Sequence, residues 1–215
     1  LDREMAGHKN LQTVIFSEED LSLTELPDLV AEAQAKLGLR FDKVQVMCMI
    51  REPFALLSSS YVQAVKMGTD ETWNVFRDRM LDAGLFFPRL KLWQDVFGAE
   101  QMMVRVLQGD ALAQFSSVVG FKLPHSSAKA TNKLMSALGV EQLRALNAAY
   151  CEAGKKRPAA VRKAFGLYIT GPSWRAPVKD AAVIYNRLFA EIDHLKSSGI
   201  LTLGDKAFVQ TQWTP

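Results

Sequence analysis

The run Val44 to Ile50, VQVMCMI, is followed at once by Arg51-Glu52-Pro53 and then by FALLSSSY, Phe54 to Tyr61. A strand that is apolar almost throughout is one buried on both faces, the condition of a strand inside a parallel sheet. Pro53 suits the first turn of a helix, where no donor is needed from its nitrogen. The segment therefore reads as strand, basic turn and helix. Such a strand requires helices packed on both faces of its sheet.

The order of elements around it agrees. LQTVIF, Leu11 to Phe16, is a short run of β formers, and Ser17 to Asp20 is a polar loop at its end. Thr24 to Leu37 places Leu26, Leu29, Val30, Ala33 and Leu37 at helical spacing, with Gly38 as the stop. Strand, helix, strand in that order is a βαβ unit, so the sheet is expected to be parallel. The helix opened by Pro53 should run to about Lys66 and stop at Gly68. Thr69 is expected to cap the next helix, with Asp70 and Glu71 in its first turn. Another helix is expected near Arg89 to Phe97, then a third strand at Met102 to Leu107, then a helix capped by Asp110. Beyond Gly120 the strands run out. Phe121 to Thr131 reads as a loop, and helices are expected near Leu138 to Cys151, Pro158 to Tyr168 and Val178 to Lys196. The whole, residues 1–215, reads as one α/β domain with a helical C-terminal half.

Composition sets limits. With 48% hydrophobic and 23% charged residues, the chain can bury a real core. A net charge of +3 suits an anionic ligand but is too weak to argue for nucleic acid. No apolar run reaches the length of a membrane span. Cys48 and Cys151 do not make a disulfide scaffold, so a reducing, cytoplasmic setting is the default. His8, His125 and His194 are scattered without metal-ligand spacing, and no metal is expected.

Arg51 falls at the carboxyl end of a parallel strand, where open α/β sheets bind their ligands. Its guanidinium can hold two phosphate oxygens at once. By the 3.6-residue repeat, Ser59 shares a helix face with Glu52, Ala55 and Leu56, and its hydroxyl can donate toward the same ligand. The helix N-terminus is expected to add free N–H groups. The alternative is that Arg51 pairs with a carboxylate and the serines only pack.

The set Arg51-Glu52-Pro53, Ser59 and Tyr61 resembles the 3′-phosphate-binding motif of sulfotransferases, with its Ser eight residues after the Arg. SEEDL, Ser17 to Leu21, resembles the Ser-Glu-x-Leu loop of bacterial members. Lys91 to Leu112 and Thr131 to Asn147 resemble later segments of the same group, in the same order. The resemblance covers roughly Leu11 to Asn147. It implies a three-layer α/β/α fold of the P-loop type. It also implies transfer of a sulfuryl group from 3′-phosphoadenosine 5′-phosphosulfate (PAPS) to a hydroxyl or amine of a carbohydrate or small metabolite. Arg51 and Ser59 would bind the donor's 3′-phosphate. The family's Gly-rich loop, with its Lys, occurs nowhere in these residues. It is expected upstream of Leu1, and without it these residues alone should not catalyse. Gln108 also departs from the family, which carries an acid there.

Other candidates weigh less. Glu18, after Ser17 and before Glu19, could serve as the acceptor's general base; a solvated loop is the plain alternative. Lys66 could reach an anion or simply complement a helix C-terminus. His125, between Lys122 and Lys129, could line a pocket or lie on a surface loop. Arg105 reads as a structural partner for a carboxylate. Trp73, Trp93 and Phe97 read as core, and Lys155-Lys156-Arg157 as a solvated helix entrance. The rival to an enzyme is a non-catalytic nucleotide-binding or scaffold protein that kept the fold and lost the loop. A kinase-type transferase would need that loop and a magnesium-binding acid as well.

Overall fold

The computed structural model describes residues 13–16, 27–120, 135–161, 171–201 and 203–213. They form a mixed α/β structure, mostly helical, around a small parallel sheet. The elements are α1 (Pro27–Gly38), β1 (Val46–Ile50), α2 (Pro53–Met67), α3 (Trp73–Ala83), α4 (Phe87–Phe97), a 3-10 turn (Ala99–Gln101), β2 (Met102–Val106), α5 (Ala111–Val119), α6 (Ala137–Glu152), α7 (Asp180–Arg187), α8 (Phe189–Ser197) and α9 (Leu203–Gln212). No helix among the described residues is long and apolar enough to cross a membrane.

β1 and β2 pair in parallel, from Val46 opposite Met102 to Ile50 opposite Val106. The far edge of β2 is met differently. Leu201 forms a single parallel bridge to Val104, whose N–H donates to the Ile200 carbonyl at 3.2 Å. Two residues on, the Val106 N–H donates to the Asp205 carboxylate at 3.1 Å. A side chain from α9 thus takes the place of a strand carbonyl. Asp205 also stands 2.9 Å from Arg105 Nε, an ion pair whose N–H is misaligned for a hydrogen bond. This is the carboxylate partner that Arg105 was expected to have.

Several expectations are corrected. Residues 13–16 form no strand, and Ile15 and Phe16 remain exposed, with Phe16 edge-on to Phe41. β propensity is local, but a strand exists only where a ladder partner is found. β1 is less buried than expected: Val46 to Met49 are half-buried and only Ile50 is buried, and β2 is the one strand paired to its edges among the described residues. Beyond Gly120 the described residues hold no strand, as expected, and Leu201 adds one isolated bridge to β2. Thr69 does not cap α3; Thr72 stands at that position, and the Thr69 hydroxyl instead meets the Glu71 N–H. The helix expected over Val178 to Lys196 is two, α7 and α8, broken at Leu188. The loop expected at Phe121 to Thr131 lies outside the described residues, as does most of the helix from Pro158, of which residues 159–161 are helical.

α2 is the spine of the core. Leu57, Tyr61 and Val65, one helical turn apart, are fully buried, and α2 packs on α3, α6 and α7. Tyr61 meets the rings of Trp73, Phe76 and Trp174 at centroid distances of 4.9–5.6 Å. Burial pushes the Tyr61 phenol up to about 12. Trp73 is a core residue, as expected, and its indole N–H donates to buried Asp180 at 2.7 Å. Trp93 stacks on buried Phe97 at 5.6 Å.

Candidate functional site

The two parallel strands end side by side, with Arg51 after β1 and Leu107-Gln108 after β2, joined where the Leu107 N–H donates to the Ile50 carbonyl. Two helices begin at this edge. α5 is capped by Asp110, whose Oδ1 accepts from Leu112 N and Ala113 N at 2.8 and 3.3 Å. α2 is capped by Glu52, whose Oε1 accepts from Phe54 N at 2.6 Å and Oε2 from Ala55 N at 2.7 Å.

The expectation that the α2 N-terminus offers free N–H groups is therefore corrected. Glu52 is itself the anion seated there. Glu52 Oε1 also accepts a very short hydrogen bond from the Tyr185 hydroxyl of α7. Burial, aided by this carboxylate, raises the Tyr185 phenol well above its ordinary value.

Arg51 is exposed and has no hydrogen bond or ion pair among the described residues. Among the described residues no carboxylate pairs with it, against the alternative that Arg51 serves an ion pair. Ser59 is half-buried, and its hydroxyl donates to the Leu56 carbonyl at 2.9 Å. Ser58 does the same to Phe54 at 2.7 Å. Seven residues of α-helix between Glu52 and Ser59 amount to about 10 Å along the axis. One phosphate could meet Arg51 and Ser59 together only with the Arg side chain laid back along α2 and the Ser hydroxyl turned off Leu56. Lys66 lies about 20 Å down the same helix, too far to share that phosphate.

The far end of α2 is tied to the C-terminal half. Asn147 Nδ2 of α6 donates to the carbonyls of Val65 and Thr69 at 2.9 and 2.7 Å. Arg157 donates to the Lys66 carbonyl at 2.6 Å. The basic cluster at 155–157 thus includes one residue with a structural task, while Lys155 and Lys156 stay exposed.

Two open cavities lie elsewhere. One, of about 290 Å³, sits at the opposite end of the strands between Gln34, Phe41, Val44 and Gln101. The other, of about 460 Å³, lies between α4 and α8, where His194 meets Phe87 edge-on at 4.0 Å beside the Lys91–Asp95 ion pair. Neither is lined by Arg51 or Ser59. Glu18, with Ser17 and Glu19, and His125, with Lys122 and Lys129, lie outside the described residues. Among the described residues no three His, Cys, Asp or Glu side chains gather as a cation site. Burial pushes the Cys48 thiol up to about 11, far from a reactive thiolate.

Sequence reasoning missed Glu52 as a capping group and Tyr185 as its partner. The acid before Pro53 was a usable signal for the first. Nothing local marks Tyr185, 133 residues away. No protein-family model matches the chain, and neither the curated proteins nor the solved structures returned a match.

Proposed function

We propose that this chain is the nucleotide-binding part of a PAPS-dependent sulfotransferase, cytoplasmic and built on a three-layer α/β/α sheet. Its acceptor would be a hydroxyl or amine of a carbohydrate or small metabolite. One observation carries the reading. Arg51, at the carboxyl end of a parallel strand, is an exposed guanidinium without a partner among the described residues, although a carboxylate follows it in the chain. Its planar fork suits a terminal phosphate. Arg51 would hold the donor's 3′-phosphate, and Ser59 would join it on releasing Leu56. PAPS, when bound, supplies the sulfuryl group. Arg51 and Ser59 fix the nucleotide and do not meet the sulfur. Glu18 is the proposed base for the acceptor. No phosphate loop occurs in these 215 residues, so transfer by this chain alone is not expected.

A second reading, a nucleotide-binding scaffold without catalysis, is favoured by the lack of a phosphate loop in these 215 residues. Both readings require adenosine 3′,5′-bisphosphate to bind, and only the first requires transfer when the phosphate loop is supplied. In calorimetry Arg51→Ala should weaken the bisphosphate by about 1.5–3 kcal/mol, the usual worth of a hydrogen bond to a charged group. Equal affinity of the wild type for adenosine 5′-phosphate, which lacks the 3′ group, would sink the assignment.

A further inference from the structure

Arg51 and Glu52 are chain neighbours of opposite charge at the mouth of α2, yet they do not pair. Both Glu52 oxygens are turned into the helix. Oε1 accepts from the Phe54 N–H and the Tyr185 hydroxyl, and Oε2 accepts from the Ala55 N–H. Two of these three donors belong to α2. The third arrives from α7, which packs on α2. Tyr185 is 8% exposed, so the fold, and not Glu52, sets where its hydroxyl sits. Three of the carboxylate's four lone-pair sites are taken in this way, both of those on Oε1 and one on Oε2. Take the phenol oxygen away, and Oε1 lies against an apolar ring with one donor fewer. Arg51, the residue before it in the chain, is an exposed cation without a partner among the described residues and could then compete for that oxygen. A Glu52–Arg51 pair would compete with any incoming anion for the same guanidinium.

We infer that Tyr185 is a positioning residue of the anion site: it holds Glu52 away from Arg51 and so keeps the guanidinium open to a ligand phosphate. The inference rests on Arg51 as the phosphate ligand, and it adds a partner from the C-terminal half that touches no ligand itself. It differs from a plain packing role in one respect. The harm done by losing the hydroxyl has to pass through the Glu52 charge.

That distinction is measurable. Calorimetry with adenosine 3′,5′-bisphosphate, and with inorganic pyrophosphate as a second probe, would be run on the wild type and on Tyr185→Phe, Glu52→Gln and the double variant, each checked for a cooperative melt. Tyr185→Phe should weaken both probes about fivefold, the factor of a solvent-exposed ion pair near the upper end of its range. In the Glu52→Gln background the same change should do nothing, because the competing charge is gone. The effect in Tyr185→Phe should shrink as salt is raised. An equal loss in both backgrounds means Tyr185 acts by packing and overturns the inference. Unchanged affinity in Tyr185→Phe overturns it too. Failure of the reading beneath it looks different. If pyrophosphate binds through Arg51 and the adenosine nucleotide does not, the nucleotide reading falls while the Tyr185 effect is still measured. If Arg51→Ala leaves both probes unaffected, both fall.

Discussion

Asn147→Ala should be among the costliest single changes in this chain. Asn147 is 3% exposed, and its Nδ2 donates to two carbonyls at the end of α2, Val65 at 2.9 Å and Thr69 at 2.7 Å. The amide orientation follows from these two acceptors, since the reversed amide would set oxygen against oxygen. The two losses are unequal. The Val65 carbonyl still accepts the Gly68 N–H at 3.2 Å. The Thr69 carbonyl has no other donor among the described residues, so it pays a desolvation cost of about 1–3 kcal/mol. With a smaller loss at Val65, the total comes to about 2–3 kcal/mol. For a chain of this length that lowers the melting temperature by about 4–12 °C. Asn147 Oδ1 is buried without a partner, so no acceptor contact is lost with it. Asn147→Asp separates donation from packing. It keeps the shape, removes both donors and aims a carboxylate at two carbonyls, so it should be worse than Ala at neutral pH. The introduced carboxyl would have a raised folded pKa. The variant should therefore be least impaired below the unfolded value of about 3.9 and lose stability as pH rises toward the folded value. Urea unfolding at pH 4 and pH 7 reads both effects. An Asn147→Asp variant as stable as wild type at pH 7, or an Asn147→Ala loss under about 0.5 kcal/mol, refutes the assignment of stability to these two bonds.

Glu191 of α8 accepts from the N–H groups of Leu85, Phe86 and Phe87 at 2.9–3.1 Å and so caps α4 from a distant element. Glu191→Ala should cost about 2–3 kcal/mol in urea unfolding, and Glu191→Gln less, since one acceptor survives. Equal losses would argue against the carboxylate. Alkaline unfolding should track the buried phenols. Tyr61 is raised from 10 to about 12 by burial, so its contribution is whole below pH 10 and is lost as pH climbs toward 12. Tyr61→Phe should flatten that limb while changing stability little at pH 7, since the hydroxyl makes one long bond of 3.2 Å to the Glu71 carbonyl. An unchanged alkaline limb in Tyr61→Phe would show that other groups set it.

What could be read from the sequence was what depends on neighbours in the chain. α2 begins at Pro53 and stops at Gly68, as expected, because proline and glycine act through their own backbones. Asp110 caps α5 because the cap bond spans only two or three residues. A parallel sheet was expected from a strand–helix–strand unit opening at Leu11 to Phe16; β1 and β2 are parallel, although residues 13–16 form no strand. The misses are contacts between distant residues, or departures from the common residue preferences. Glu52 caps α2 although Glu is not a favoured capping residue. Leu201 contributes one bridge, too little to leave a period in the sequence, and Asp205 finishes the edge with a side chain. The α7–α8 break at Leu188 has neither glycine nor proline to announce it. The position of Arg51 directly after β1 could be read because a strand's end can be located from sequence. The state of its neighbours, Glu52 engaged and Ser59 bonded to its own helix, was not legible.

These misses bear on how the site works. α2 is fixed along its length by residues from distant parts of the chain. Tyr185 meets its N-terminal cap, the rings of Trp73 and Trp174 surround Tyr61 at its middle, and Asn147 and Arg157 take the carbonyls at its end. A ligand-binding side chain at the mouth of a helix is only as well placed as the helix itself. Arg51 is exposed and has no hydrogen bond or ion pair among the described residues, so the position of α2 and the direction of Glu52 are what define its surroundings there. Loosening either end of α2 should therefore lower anion affinity even where no ligand contact is lost. A loss at the Asn147 end should come with a matching loss of stability. A loss at the Tyr185 end should come through charge and be relieved by Glu52→Gln. The two ends of one helix thus offer separate tests of whether its placement or its electrostatics governs Arg51.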